Sequence, residues 1–307
     1  MQPIEWQIHN EWAPLEAVMI GIGEGMGPAP SLDETYDPQS RFHVERGTYP
    51  TEADVAFELN QFAQTLQDHS VQVLRPDAAG INQVFTRDIG VVIDDVFIMT
   101  HLVEDRVAEQ KGLRSMLDRN PGQVLYPPEN VRMEGGDIMP MGQEIWVGYA
   151  SNESFEKYTT ARTNEAAIDW LRAHFPSKKV IGLELKKSDT NASKNALHLD
   201  CCCAPLGLGH LFVHREGFAQ QSELEELVQR YESDNIMLIS AEEMQNMHCN
   251  LFSLNPDTVV SNAAFGRSND QLRSWGYTVI EVDLTETSKM GGLLRCSTLP
   301  LRRTKLQ

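Results

Sequence analysis

Apolar positions along the chain follow two spacings in turn. Short continuous or alternating runs read as strands, and stretches with apolar residues three and four apart read as helices. Residues 15–22 alternate weakly and end in Gly-rich sequence, a strand followed by a long loop through Pro30, Asp37 and Arg46. Thr51 and Asp54 have the spacing of a capping box. Val55, Leu59, Phe62, Ala63 and Leu66 then mark one helical face, and residues 71–74 a strand stopped by Pro76. The same order returns after Asp88. Residues 90–93 and 96–100 form a hairpin hinged at Asp94-Asp95. Val107, Leu113, Met116 and Leu117 fit a helix that stops before Asn120-Pro121-Gly122, and residues 124–126 a strand.

Three more units follow. Residues 137–139 and 144–150 predict a hairpin around Met141-Gly142, 166–175 a helix and 180–185 a strand. Residues 196–203 and 210–214 pair across a Gly-rich turn. Ser222 and Glu225 cap a helix carrying Leu224, Leu227, Val228 and Tyr231, and 236–239 is a strand. Residues 251–254 and 258–261 flank Asn255-Pro256-Asp257, 270–275 is helical and 278–282 a strand. Hairpin, helix and strand thus recur every ~50–60 residues, a period typical of radial or linear arrays. With an incomplete first unit there are five, which predicts a single-domain α/β propeller over residues 1–307. The order of elements, not sequence identity between units, carries this expectation.

Composition narrows the function. Of 307 residues, 41% are apolar and 23% charged, ordinary values for a globular protein. The chain carries 26 Lys and Arg against 44 Asp and Glu, a net −18. Such acidity argues against nucleic acid or anionic membrane as partner and suits a cationic small molecule. No apolar run approaches the ~20 residues of a membrane span, and Trp6, His9, Asn10 and Glu11 interrupt any N-terminal signal. Five cysteines, with Cys201, Cys202 and Cys203 consecutive, do not make a secreted disulfide framework. The expected compartment is cytoplasmic. Homo-oligomer formation is left open.

Four polar stretches stand just before predicted strands: residues 85–88 (Phe-Thr-Arg-Asp), 134–137 (Glu-Gly-Gly-Asp), 198–200 (His-Leu-Asp) and Cys296 within Gly291-Gly292-Leu293-Leu294-Arg295-Cys296. Each has a structural alternative when taken alone. Asp88 suits a turn cap, the Gly-Asp stretch an ordinary loop, His198 a satisfied core position, Asp200 a surface ion pair and Cys296 a small buried hydrophobe. At corresponding places in successive units of a ring they would meet in one pocket. Arg295 beside Cys296 is expected to help lower its thiol pKa. A zinc site at Cys201–Cys203 is rejected, because adjacent strand residues face opposite ways and the CxxC spacing is absent. Cys249, His101, His210, His214 and His248 read as structural or exposed. The loop over residues 33–49 is expected to line an entrance, with Arg41 or Arg46 available to an α-carboxylate.

These four stretches, with Pro300-Leu301 following Cys296, resemble the guanidine-modifying (pentein) superfamily of arginine deiminases, dimethylarginine dimethylaminohydrolases and arginine amidinotransferases. The opening Asn10-Glu11-Trp12 with Pro14-Leu15-Glu16 is similar to the amidinotransferase start. The resemblance runs from about residue 10 to 301 and implies a five-bladed α/β propeller. It implies Cys296 as the nucleophile on the guanidinium or ureido carbon, His198 as general acid/base and Glu134 as a carboxylate that binds the guanidinium and assists proton handling. Asp88 and Asp200 match the pair that grips the planar N–H groups. Asp137 and Arg295 complete the expected substrate-binding set. No cofactor or metal is implied. The resulting expectation is a cysteine-dependent hydrolase of arginine or a related compound. The alternatives are an arginine amidinotransferase and a non-catalytic binding protein of the same fold. The triple cysteine after His198-Leu199-Asp200 is unusual for the family, and the terminal Lys305-Leu306-Gln307 lies beyond the motifs.

Overall fold

The computed structural model describes residues 4–77, 80–120 and 122–305. Pro121 of the expected helix stop, and Leu306 and Gln307 of the tail, lie outside the described residues. The strands form five three-stranded sheets. In chain order they are β1 (Leu15–Ile20), β2 (Gln72–Leu74), β3 (Gly90–Ile93), β4 (Val96–Met99), β5 (Gln123–Leu125), β6 (Ile138–Met141), β7 (Glu144–Tyr149), β8 (Lys179–Glu184), β9 (Cys203–Leu206), β10 (His210–Val213), β11 (Ile236–Leu238), β12 (Phe252–Asn255), β13 (Thr258–Asn262), β14 (Thr278–Val282) and β15 (Thr298–Arg303).

Each sheet repeats one pattern. A first strand runs antiparallel to a central strand, which pairs parallel with a third reached through helical sequence. Parallel neighbours require such a crossover, whereas the antiparallel pair needs only a turn. The sheet of β1 and β2 takes its first strand from the far end of the chain: Val18 pairs with Pro300 and Ile20 with Thr298 of β15. This supplies what the incomplete first unit lacked. Pro140, Pro205 and Pro300 all lie in first strands, which are sheet edges and tolerate a residue with no N–H to donate.

The helices are α1 (Pro38–Glu45), α2 (Glu52–Asp68), α3 (Arg114–Arg119), α4 (Asn152–Lys157), α5 (Glu165–His174), α6 (Leu199–Cys202), α7 (Gln221–Val228), α8 (Ala241–Gln245), α9 (Gly266–Ser274) and α10 (Thr285–Ser288). The Thr51/Asp54 capping box opens α2, and Val55, Leu59, Phe62, Ala63 and Leu66 are all buried on its inner face.

Several expectations need correction. The long loop after β1 contains α1, started by Asp37, whose carboxylate accepts from the backbone of Gln39 and Ser40, with Pro38 at the first helical position. Residues 104–113 form 3₁₀ turns before α3, and Val107 is exposed. Residues 196–203 are not one strand: Leu199 to Cys202 make a helical turn and only Cys203 begins β9. Ser222 lies inside α7 and caps nothing, and Tyr231 packs on the core beyond the helix end. The helix α8, with a capping box from Ser240 to Glu243, has no counterpart among the expected elements.

Candidate functional site

The five segments that enter the first strands are tied to one another in a cycle. The Arg87 N–H donates to the Cys296 carbonyl (3.0 Å) and the Gly135 N–H to that of Asp88 (3.3 Å). The Leu199 N–H donates to Asp137 (2.9 Å), and the Asn250 amide to the Asp200 carbonyl (3.5 Å). The Arg295 N–H donates to the Asn250 carbonyl (3.4 Å) and closes the cycle. Arg87 pins the cysteine segment further, through the Arg295 carbonyl (3.2 Å) and the Thr298 hydroxyl (3.2 Å). It therefore serves as a clamp between β3 and β15.

Close approach explains the paired glycines. A Cβ on Gly136 would stand 2.7 Å from the His198 ring and 2.9 Å from Asp88 Oδ1. A Cβ on Gly135 would run into the Arg87 carbonyl. A Cβ on Gly292 would meet the Phe85 ring at 2.6 Å. No side chain larger than hydrogen fits where these backbones pass.

Within the cycle the expected residues divide into two groups. Cys296, His198, Glu134, Asp88 and Asp200 are all buried and converge. His198 Nε2 lies 2.8 Å from Glu134 Oε2, and its Nδ1 3.7 Å from Asp88 Oδ1. Cys296 Sγ lies 3.6 Å from Asp200 Oδ2. Asp88 Oδ1 has no hydrogen-bond partner despite its burial, an acceptor left open toward the imidazole. Asp137 and Arg295 are instead saturated by the protein. Asp137 accepts from the Thr163 hydroxyl (2.6 Å) and the Leu199 N–H. Arg295 donates to both oxygens of Glu11 (3.0 and 3.1 Å), to Asp200 (2.8 Å) and to the carbonyls of Gly136 and Ile138.

Arg295 consequently does not lower the Cys296 thiol pKa as expected. Its guanidinium is turned onto Asp200 and Glu11. Burial, then the charges of Asp200, Cys201 and Asp88, push the Cys296 thiol well above its ordinary range. His198 behaves in the opposite way. Burial works against its charge, but Asp88, the hydrogen bond to Glu134 and the charge of Asp137 raise it to about 9. Glu134 is held below the usual carboxylate range: burial opposes this, and Arg162, His198 and Arg106 outweigh it.

Arg106 and Arg162 were not legible in the sequence. Arg106 bridges Asp88 (2.8 Å), Glu109 (2.9 Å) and Glu134 (3.7 Å). Arg162 meets Glu134 at 3.4 Å and donates to the Tyr36 carbonyl at 2.9 Å. Arg41 and Arg46, the expected carboxylate binders, are exposed and engaged with their own helix: Arg41 pairs with Glu45, and Arg46 stacks on Phe42. The loop reaches the cluster at Tyr36, whose carbonyl accepts from Arg162. A cavity of about 200 Å³ beside it is lined by Tyr36, Asp37, Tyr49, Asn82, Asp105 and Glu109, and by none of Cys296, His198, Glu134, Asp88 and Asp200.

Asn250 was also missed. It is fully buried immediately before β12, the fifth of the equivalent entries, and that place in the repeat was its only signal. As for metals, Asp88, Glu134 and His198 offer ligand atoms within 4.8 Å of one another. Arg106 and Arg162 hold the same carboxylates, however, and the raised His198 pKa favours imidazolium over a ligating imidazole.

The comparisons with known proteins bear on the family. The family described as "N,N dimethylarginine dimethylhydrolase, eukaryotic" matches residues 39–303. The chain is 26% identical over 297 residues to the uncharacterized protein YkgA of Bacillus subtilis (strain 168), covering 96% of this chain and 94% of that one. It is 26% identical over 254 residues to the N(G),N(G)-dimethylarginine dimethylaminohydrolase of Pseudomonas aeruginosa, covering 81% of this chain and 89% of that one. Among solved structures it is similar in fold to SxtG, an amidinotransferase from Microseira wollei, with a TM-score of 0.76, 19% identity and 98% of each chain covered. The chain belongs to the N,N-dimethylarginine dimethylhydrolase family and, with it, to the guanidine-modifying pentein superfamily.

Proposed function

We propose that this protein is a cysteine-dependent hydrolase acting on the guanidino (or ureido) carbon of arginine or a related compound, built as a single-domain five-bladed α/β propeller. The observation that carries the reading is the meeting of Cys296, Asp200, Asp88, His198 and Glu134 in one buried cluster, with Asp88 Oδ1 unpartnered. A guanidinium is planar and cationic, and carboxylates at its rim fix it through charge-assisted bonds. Asp88 and Asp200 are the carboxylates we assign to that grip. Asp137 and Arg295 we assign to positioning: both Asp137 oxygens and every guanidinium nitrogen of Arg295 are hydrogen-bonded within the protein, whereas Asp88 Oδ1 is unpartnered and Asp200 Oδ1 meets only the Cys201 thiol at 3.7 Å.

The raised thiol and the raised imidazole fit one sequence of events. In the empty site the Cys296 sulfur is a neutral thiol among carboxylates. A bound cation reverses the local field, favours the thiolate, and the thiol proton departs to solvent. Sulfur then bonds to the central carbon, and the C=N electron pair moves onto nitrogen. The His198 imidazolium gives its proton to the departing amine as the C–N bond breaks. An S-linked amidinium remains on Cys296, still cationic and still matched to the carboxylates. Neutral His198 takes one proton from water as water adds to the carbon; collapse expels the thiolate, the adduct's hydroxyl proton passes to that sulfur, and the neutral ureido product and the thiol remain.

The test is turnover together with covalent capture. Incubation with arginine or dimethylarginine is expected to release ammonia or the methylated amine with no acceptor present. 2-Chloroacetamidine is expected to label Cys296. In Cys296→Ala turnover should fall by about 10³-fold or more, and labelling should vanish. Product formed only when glycine is added would favour the amidinotransferase. Intact protein that neither turns over nor labels would be a binding protein.

A further inference from the structure

Asn250 is placed to do more than fill the core. Its side-chain oxygen accepts the Cys296 backbone N–H at 3.1 Å, and its Nδ2 lies 3.1 Å from Cys296 Sγ. The first contact fixes the second. A backbone N–H can only donate, so the amide end facing it must be oxygen, and the end facing sulfur must be the NH₂ group. The amide is further anchored by the Asp200 carbonyl on the same NH₂, and the Asn250 carbonyl receives the Arg295 N–H. The residue is fully buried, so no water competes for these atoms.

We infer that Asn250 is a positioning residue for the nucleophile: it fixes the side chain of Cys296 and supplies the side-chain hydrogen bond that stabilises its thiolate. The inference rests on the reading of Cys296 as nucleophile. Every titratable or charged group facing the sulfur opposes its ionisation or is engaged elsewhere. Asp200 and Cys201 face it from α6, and Asp88 from the entry to β3. The neighbouring guanidinium of Arg295 is turned onto Asp200 and Glu11. Two donors favour the thiolate: the Leu293 backbone N–H and, among side chains, the Asn250 amide aimed at the sulfur. A thiol sulfur is a weak acceptor and a thiolate a strong one, so the contact strengthens as the proton leaves. The same bond favours thiolate as the leaving group when the product is released.

The experiment follows the pH dependence of Cys296 alkylation by 2-chloroacetamidine, with mass spectrometry confirming the site, in wild-type protein, Asn250→Ala and Asn250→Asp. Loss of the donor is expected to move the midpoint up by about one pH unit, roughly tenfold in rate on the acidic side. Asn250→Asp keeps an acceptor for the Cys296 N–H but replaces the donor with a charge, and should shift further. With substrate, kcat should fall while KM changes little. If Asn250 merely holds the backbone, Asn250→Ala will leave the midpoint in place, and that result overturns the inference; the shift in Asn250→Asp only reports how strongly a charge at this place is felt. Should Asn250→Ala fail to fold, Asn250→Ser, neutral and shorter than the amide, takes its place, and an unmoved midpoint there likewise overturns the inference. Absence of labelling in the wild type would instead sink the nucleophile itself, and this inference with it.

Discussion

Buried charge in this protein is arranged in short chains of alternating sign. Arg106 stands among Asp88, Glu109 and Glu134, and Arg295 between Glu11 and Asp200. Removing one member leaves a partner buried without compensation, which is far more costly than deleting a surface pair. His198 belongs to the first chain, and its pKa gives a stability signature. The folded value is raised from 6.5 to about 9. Its contribution is therefore complete below the unfolded value and is lost as pH rises through about 9. Urea unfolding of wild type and His198→Gln should differ by an amount on the order of 2–3 kcal/mol more at pH about 6 than at about 10. A gap independent of pH would show that the imidazole is not held charged. Arg106 and Arg162 escaped sequence reading for a related reason: an arginine that neutralises a buried carboxylate looks, along the chain, like any surface arginine.

At the level of elements, the turn from residue 134 to 137 decides how close the carboxylates come to the imidazole. Gly136→Ala is the sharpest probe, because the added methyl meets the His198 ring and Asp88 Oδ1. The expected cost is about 1–3 kcal/mol in thermal or urea unfolding, with a larger loss in kcat than in KM. Unchanged kcat would mean that His198 has room to move without consequence. The strands and α2 were legible because their apolar periods are long enough to register. The turn of α6 was not: its four residues, Leu199 to Cys202, are all buried, Asp200 included, and a single turn buried on every side cannot reveal a helical period. The helix α1 was hidden by its polarity, although Asp37-Pro38 is a start signal.

The whole molecule depends on the pairing of its two ends. β15 supplies the first strand to the sheet of β1 and β2, with Leu299 and Leu301 fully buried, and Cys296 lies two residues before it. Ending the chain at Ser297 should leave β1 with an open edge and abolish cooperative unfolding. Leu299→Ala, a milder change, should cost about 2–5 kcal/mol. A truncated chain that unfolded cooperatively near the full-length midpoint would show that the ends contribute little. By itself the sequence determined the repeating hairpin, helix and strand, and the four polar stretches ahead of first strands, because periodicity and short motifs are local properties. Only the tertiary structure decided which carboxylates face sulfur or imidazole, which arginines neutralise them and that Asn250 reaches Cys296. Those relations join residues far apart in the chain, and their chemistry exists only once burial removes water from between them.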